Sequence, residues 1–197
     1  MSLSFHNFDQ ALRLLDGRLS LAGAPRFNLV VCGGAALLAA GLVLRTTRDV
    51  DIVALMDDEG VLLDPAPLPI LLVEAAREVA DDLGLPPDWL NNGPSSGEGG
   101  LFRMGLPEGF VKRLTWVTFG ERLAVGYISR YDQIHFKLYA TVDQGPKSKH
   151  FADLLRLAPT WEELEAAAAW CTGHDPSDGF ATMLTQALAE LEKRRDL

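Results

Sequence analysis

The chain has 197 residues, 48% of them hydrophobic, and a formal net charge of −9, which suits one domain with a small helical appendage and an ample core. The acidic balance argues against broad, nonspecific nucleic-acid binding, and two cysteines, Cys32 and Cys171, are too few for a disulfide framework or a zinc site. The first residues do not read as a charged-then-apolar leader, and no apolar run approaches the ~18 residues that cross a bilayer, so a cytoplasmic protein without a membrane partner is expected.

In chain order, residues 5 to 20 read as an amphipathic helix with Phe8, Leu12 and Leu15 on one face. Residues 27 to 32 form a short apolar strand that runs into Gly33 and Gly34, and 34 to 42 continue as an apolar helix. A basic, threonine-bearing turn carries Arg45, Thr47 and Arg48, and a second strand over 49 to 56 carries Asp49 and Asp51. The stretch from Asp57 to Pro69 holds four charged residues and three prolines and reads as a loop. Leu68, Leu72, Ala75, Val79 and Leu83 then recur at helical spacing up to Gly84. Residues 83 to 100, LGLPPDWLNNGPSSGEGG, are dense in turn formers and are expected to lack regular structure, with Trp89 anchoring the loop on the core. Residues 113 to 119 and 121 to 128 alternate as paired strands around Gly120 and Glu121. From Tyr131 onward the chain is helical, with Thr160 and Glu163 forming a capping box for a helix through Trp170 and a last helix from about Ser177 to Arg194.

The chemistry concentrates between residues 27 and 53. Strand side chains alternate faces, so Asp49 and Asp51 point one way and Val50 and Ile52 the other, into a core. Two adjacent carboxylates repel unless a cation lies between them, and hard oxygen donors suit Mg²⁺. Gly33 and Gly34 lack Cβ atoms, can take positive φ, and let a phosphate approach the backbone. Cys32, beside them, reads as a small buried hydrophobe.

Strand, Gly-Gly, helix, basic turn and Asp-x-Asp together resemble the nucleotidyltransferase fold shared with DNA polymerase β. The closer likeness is to small bacterial nucleotidyltransferase-like proteins, including the toxin components of AbiE-type systems. The resemblance implies an α/β fold with a mixed, twisted sheet flanked by helices over 1–128, and a helical C-terminal region over 129–197 that closes the cleft. It implies Mg²⁺ or Mn²⁺ held by Asp49 and Asp51, and a nucleoside triphosphate bound by Gly33, Gly34, Arg45, Thr47, Arg48 and Lys149. The acceptor classes left open are tRNA, protein and small molecules.

A second constellation lies in 131 to 157. Tyr131, Ile134, Leu138 and Val142 mark the apolar stripe of a helix, and Lys137 sits at its edge, placed to extend its ammonium into a cleft. Lys149 and Asp153 stand four apart on the next helix. Many relatives carry a K-L-x-A helix followed by K-D-x-x-D-L; Lys137 matches the first lysine, Lys149 and Asp153 match the second motif, and His150 stands where its first aspartate would be. Gln144 stands near a position where relatives often carry arginine. The resemblance assigns catalytic roles to Asp49, Asp51, Lys137 and Asp153, with Lys137→Ala expected to remove turnover at little cost in stability. Two-metal transfer usually wants a third carboxylate; Glu121 and Asp132 are poorly placed for it, which leaves Asp153 as third acid or as the group that holds the lysine. The reading from sequence is a metal-dependent nucleotidyltransferase, with a catalytically weak nucleotide-binding or regulatory partner of a toxin–antitoxin pair as the alternative.

Overall fold

Leu29, Val30 and Val31 are solvent-excluded to the last atom, and a strand buried on both faces needs neighbours on both edges. The computed structural model, which describes residues 5–42 and 47–195, supplies them. Strand β1 (Phe27–Cys32) pairs antiparallel with β2 (Val50–Met56) on one side and parallel with β6 (Leu123–Tyr127) on the other. β6 in turn pairs antiparallel with β5 (Thr115–Thr118), and β2 with the two-residue β3 (Leu62–Leu63). The order is β3-β2-β1-β6-β5, and β4 (Leu90–Asn91) joins β2 in parallel. The sheet is therefore mixed, as expected from the sequence.

The ladder between β1 and β2 is not regular. Val30 pairs with Ala54 but Val31 pairs with Ile52, so Val53 is an extra residue and β2 carries a bulge. Past the bulge, Cys32 pairs with Asp51; an unbroken ladder would place Ile52 there.

Helices build the rest of the first unit, Met1–Ile128. Helix α1 (Phe5–Leu21) buries Phe8, Leu12, Leu15 and Leu19, the stripe its spacing predicts. It packs beside α3 (Ile70–Leu83), where Arg18 reaches Asp82 and Glu78. The Asp16 carboxylate accepts the Arg122 N–H at 2.8 Å, tying α1 to the turn between β5 and β6. α3 buries Leu72, Ala75 and Val79 and stops at Gly84, whose φ of 62° closes the helix in the left-handed form. Helix α2 (Gly33–Ala39) packs on β1 and β2 and spans only seven residues. It ends three residues earlier than the sequence suggests, because Gly41 turns the chain at a φ of 68°.

The loop expected to be irregular holds more order than its composition suggests. Residues Leu90–Asn91 form β4, Gly93–Ser95 make one 3-10 turn, and α4 covers Leu101–Met104. Trp89 is completely buried, and its indole Nε1 donates to the Ala76 carbonyl at 2.8 Å, so it anchors the loop on the core. Ser95, also fully buried, donates its hydroxyl to the Val53 carbonyl at 2.7 Å. That carbonyl belongs to the bulged residue, and the loop supplies the donor that the broken ladder cannot.

The second unit, Ser129–Leu197, is helical: α5 (Arg130–Gln144), α6 (Lys149–Leu157), α7 (Trp161–His174) and α8 (Asp178–Arg195). Each start is chemically marked. Ser129 accepts from Asp132 N–H, Ser148 from Phe151 N–H, Ser177 from Phe180 N–H, and Thr160 with Glu163 forms the reciprocal capping box. Arg130 locks three helix ends together, donating to the carbonyls of Leu157 and Ala158 at 2.9 Å each while pairing with Glu163. Ala158 is the described non-glycine residue with positive φ, 44°, which exposes those last carbonyls of α6 to the guanidinium. No described helix is long and apolar enough to cross a membrane.

Candidate functional site

Asp49 and Asp51 flank Val50 at the mouth of β2. Val50 and Ile52 are fully buried while both aspartates are half-buried, the alternation that period-two geometry requires. The two carboxylates thus share one face, and the apolar pair holds the strand down from the other. Asp49 stands one residue before β2 begins. The buried Thr47 bonds its neighbour: its hydroxyl lies 3.2 Å from the Asp49 carbonyl and 3.3 Å from Asp49 Oδ1. A hydroxyl has one proton to give, so Thr47 orients Asp49. Arg48 is exposed, and Arg45 lies outside the described residues.

The glycine turn meets this face directly. Gly33 has a φ of 68°, and a Cβ built on it would stand 2.5 Å from Asp51 Oδ2. A side chain there would have to displace the carboxylate, which lies against the glycine backbone. The bulge creates the contact, since it puts Asp51 rather than Ile52 opposite Cys32. Cys32 is buried, as its apolar setting suggests. Gly34 follows within the first turn of α2.

On its other side Asp51 is in register with Asn91 of β4, and the Val50 N–H donates to the Trp89 carbonyl at 2.6 Å. Asn91 is half-buried. Its Oδ1 accepts the Gly93 N–H at 2.8 Å, and its Nδ2 lies 3.4 Å from the Asp88 carbonyl. Sequence reasoning missed it: a two-residue strand inside a turn-rich segment has no period to read. The signal available was Trp89, a large apolar side chain amid turn formers that had to be buried somewhere.

Within the helical unit, Lys137 and Asp153 do come together. Lys137 Nζ lies 3.0 Å from Asp153 Oδ2, with side-chain exposures of 6% and 0%. Arg156 NH1 approaches the other oxygen at 3.5 Å. Lys137 is therefore inside the helical packing and not at its solvent edge, and Asp153 pairs with a lysine from α5 and not with Lys149, which is exposed in the first turn of α6. Between the two sequence alternatives for Asp153, this geometry is that of the group that holds the lysine. Glu121 is exposed in the turn between β5 and β6, and Asp132 is buried as the capping partner of Ser129, whose hydroxyl it accepts at 2.6 Å. Among the described residues no three His, Cys, Asp or Glu side chains gather as a metal cluster.

Comparison with protein-family models, with curated proteins and with solved structures found no match for this chain.

Proposed function

We propose that the chain is a metal-dependent nucleotidyltransferase that moves a nucleotidyl group from a nucleoside triphosphate to an acceptor hydroxyl. The observation that supports it most is the contact between Gly33 and Asp51. A left-handed glycine, a bulged strand and a carboxylate set against the glycine backbone form one local device, in which a Cβ at Gly33 would have to displace Asp51 Oδ2. Two hard carboxylates on one strand face suit Mg²⁺ or Mn²⁺, and glycines, which lack a Cβ, let phosphate oxygens approach the main chain beside them. A bound divalent ion would supply neutralisation of phosphate charge.

The residues of the chain divide the remaining work. Thr47 holds Asp49 so that the two carboxylates present oxygens together. Gly33 and Gly34 let a triphosphate lie close to the main chain. Arg48 is free to reach an anion, and Arg45 is assigned the same role by the family resemblance. In transfer, an acceptor oxygen bonds to the α-phosphorus, the bond from that phosphorus to the bridging oxygen breaks, and pyrophosphate leaves with the electron pair as the acceptor loses its proton. The charge that develops on the leaving oxygens is what cationic side chains stabilise, the dominant catalytic effect in many such sites. Lys137 and Lys149 are assigned to it by the resemblance alone, with Asp153 positioning Lys137.

Calorimetric titration of each of the four nucleoside triphosphates, with and without Mg²⁺, tests the reading. Metal-dependent binding that Asp51→Asn removes is the expected result. In a thermal melt, a cation that binds only the folded chain stabilises it by about 2.7 kcal/mol at a hundredfold excess over Kd, and Asp51→Asn should lose that shift while keeping the fold. A shift that persists in the mutant places the metal elsewhere and sinks the proposal.

One observation favours a second reading, a nucleotide-binding regulatory partner without turnover, such as one component of a toxin–antitoxin pair. Asp153 is committed to Lys137 and Arg156, which removes it as a third acid. Triphosphate binding with no transfer to cellular RNA or protein, in a screen with radiolabelled nucleotides, is the outcome that selects this reading.

A further inference from the structure

Strand β5 ends one side of the sheet, and all its residues, Thr115 to Thr118, are exposed. One of its edges is taken by β6. The Phe119 N–H donates to the Leu123 carbonyl at 3.0 Å, and in an antiparallel ladder such bonding recurs at every second residue. Val117 and Thr115 therefore bond β6, while Trp116 and Thr118 turn their N–H and C=O groups outward. Among the described residues none of these outward groups has a hydrogen-bond partner. Sheet edges are ordinarily guarded by a lysine, a proline or a bulge; Thr-Trp-Val-Thr contains none, and its register with β6 is unbroken. The edge is also held in place, because the Trp116 ring packs on Gly126, where a Cβ would stand 2.9 Å from it.

A strand that caps this edge must oppose its outward groups with outward groups of its own, and β5 of a second copy does so. A two-fold axis perpendicular to the sheet lays the two strands antiparallel with the same face up. One register then satisfies every outward group: Trp116 of each copy stands opposite Thr118 of the other and exchanges both bonds with it, and Val117 meets Val117 on the axis. The neighbouring registers fail. One sets Thr118 against Leu114, whose N–H is already given to the Val111 carbonyl, and the other sets Trp116 against Gly120, beyond the strand. Trp116 and Val117, each 39% exposed, both lose water in the pairing. The flanks are complementary in charge. The Lys112–Arg113 end of one strand runs beside the turn of the other, which carries Glu121 and, against Gly120, the Asp16 carboxylate, with Arg122 offsetting one of those two charges.

We propose that the chain forms a two-fold dimer in which β5 of one copy pairs antiparallel with β5 of a second copy, so that one sheet runs through both. The contact is isologous: it closes on itself and uses up both free edges, which leaves no template for further addition. It does not depend on the reading of Asp49 and Asp51 as a cation site.

Sedimentation velocity of the full-length chain over a range of concentrations tests the dimer, and two cysteine variants test its register. Thr118→Pro removes an outward N–H that has no partner in the single chain, and it should raise the dimer Kd at least ~tenfold, since the symmetry deletes two hydrogen bonds at once. Val117→Lys brings two ammonium groups together on the axis and should weaken the dimer at least as much. Ile70→Lys, at an apolar side chain 75% exposed on α3, should leave it intact, and urea midpoints report the fold of each variant. Directly opposed residues outside the bonded pairs have Cα atoms about 4.5 Å apart, within disulfide reach. Val117→Cys should therefore cross-link two chains under mild oxidation, while Thr115→Cys, displaced along the strand from its own copy, should not; Cys32 and Cys171 are buried. If Thr118→Pro fails to fold, Val117→Lys and the cysteine pair decide. A wild-type chain that stays monomeric at its highest soluble concentration, a dimer that survives Val117→Lys or is lost equally in Ile70→Lys, or Thr115→Cys cross-linking as readily as Val117→Cys would each overturn the proposal.

Discussion

Gly33 and Gly41 share a φ of 68°, but a Cβ at Gly41 would meet nothing within 4 Å while one at Gly33 would strike Asp51. The two positions therefore form a natural control. Gly41→Ala should cost the left-handed backbone penalty, about 1–2 kcal/mol, and leave the metal response alone. Gly33→Ala should cost more and should also shrink the Mn²⁺-induced melting shift, because the methyl group must displace the Asp51 carboxylate. Urea denaturation of both variants with and without Mn²⁺ checks this; equal losses with an intact Mn²⁺ response in Gly33→Ala would reduce the contact to a turn requirement. At this scale the sequence carried the identity of the glycines and acids, and their spacing placed both acids on one face. It did not carry which glycine touches which acid.

Elements are held by pairs that bridge distant positions. The Ser95 hydroxyl satisfies the carbonyl of Val53, the residue that makes the β2 bulge. Ser95→Ala leaves that buried acceptor without its donor, a loss of about 1–3 kcal/mol, and should weaken the Mn²⁺ response as the bulge relaxes; an unchanged urea midpoint would show that the bulge stands without it. In the helical unit, the buried Lys137–Asp153 pair corrects an expectation drawn from sequence. Lys137→Ala is not a mild change, because it strands the fully buried Asp153 carboxylate beside a half-exposed Arg156. Either single truncation should cost about 3–5 kcal/mol, whereas replacing both partners, as in Lys137→Met with Asp153→Leu, should recover most of it. A double variant no more stable than the singles would mean that the pair is not what stabilises this part of the unit. Any loss of activity in Lys137→Ala must then be read against the double variant, not against the wild type.

For the whole molecule, charge sets the response to acid. Asp64 beside Arg103, Glu163 beside Arg130, Glu162 at the start of α7 and Asp175 beside Ser177 are all held below the usual carboxylate range. A depressed carboxylate stabilises the fold above its unfolded pKa, near 4, and that contribution is lost as pH falls through the folded value. Stability should be level above about pH 5 and decline below about pH 4. Asp64, Glu162 and Asp175 are solvated and weigh little; Glu163, partly enclosed by Arg130 against α6 and α7, should dominate. Glu163→Gln should flatten the acid limb of the urea midpoint measured against pH, and an unaltered limb would assign it to other carboxylates. At the other extreme, burial pushes the Cys171 thiol up to about 12, so thiol reagents at neutral pH should label it only after unfolding.

What the sequence determined by itself is what depends on near neighbours. Apolar spacing set α1, α3, β1 and β2, alternation set the common face of Asp49 and Asp51, and Thr160 with Glu163 announced its helix, because each signal closes within one or two turns of chain. Tertiary structure decided the rest. The bulge at Val53 needs the register of two strands, β4 needs Trp89 to find its pocket on α3, and Asp51 meets Gly33 only when β1 and β2 are paired. Asp153 chose Lys137 over Lys149 because burial, and not spacing along a helix, sets which cation a desolvated carboxylate must have. Local periodicity fixes which way a side chain points. What it points at is settled when the chain closes its core.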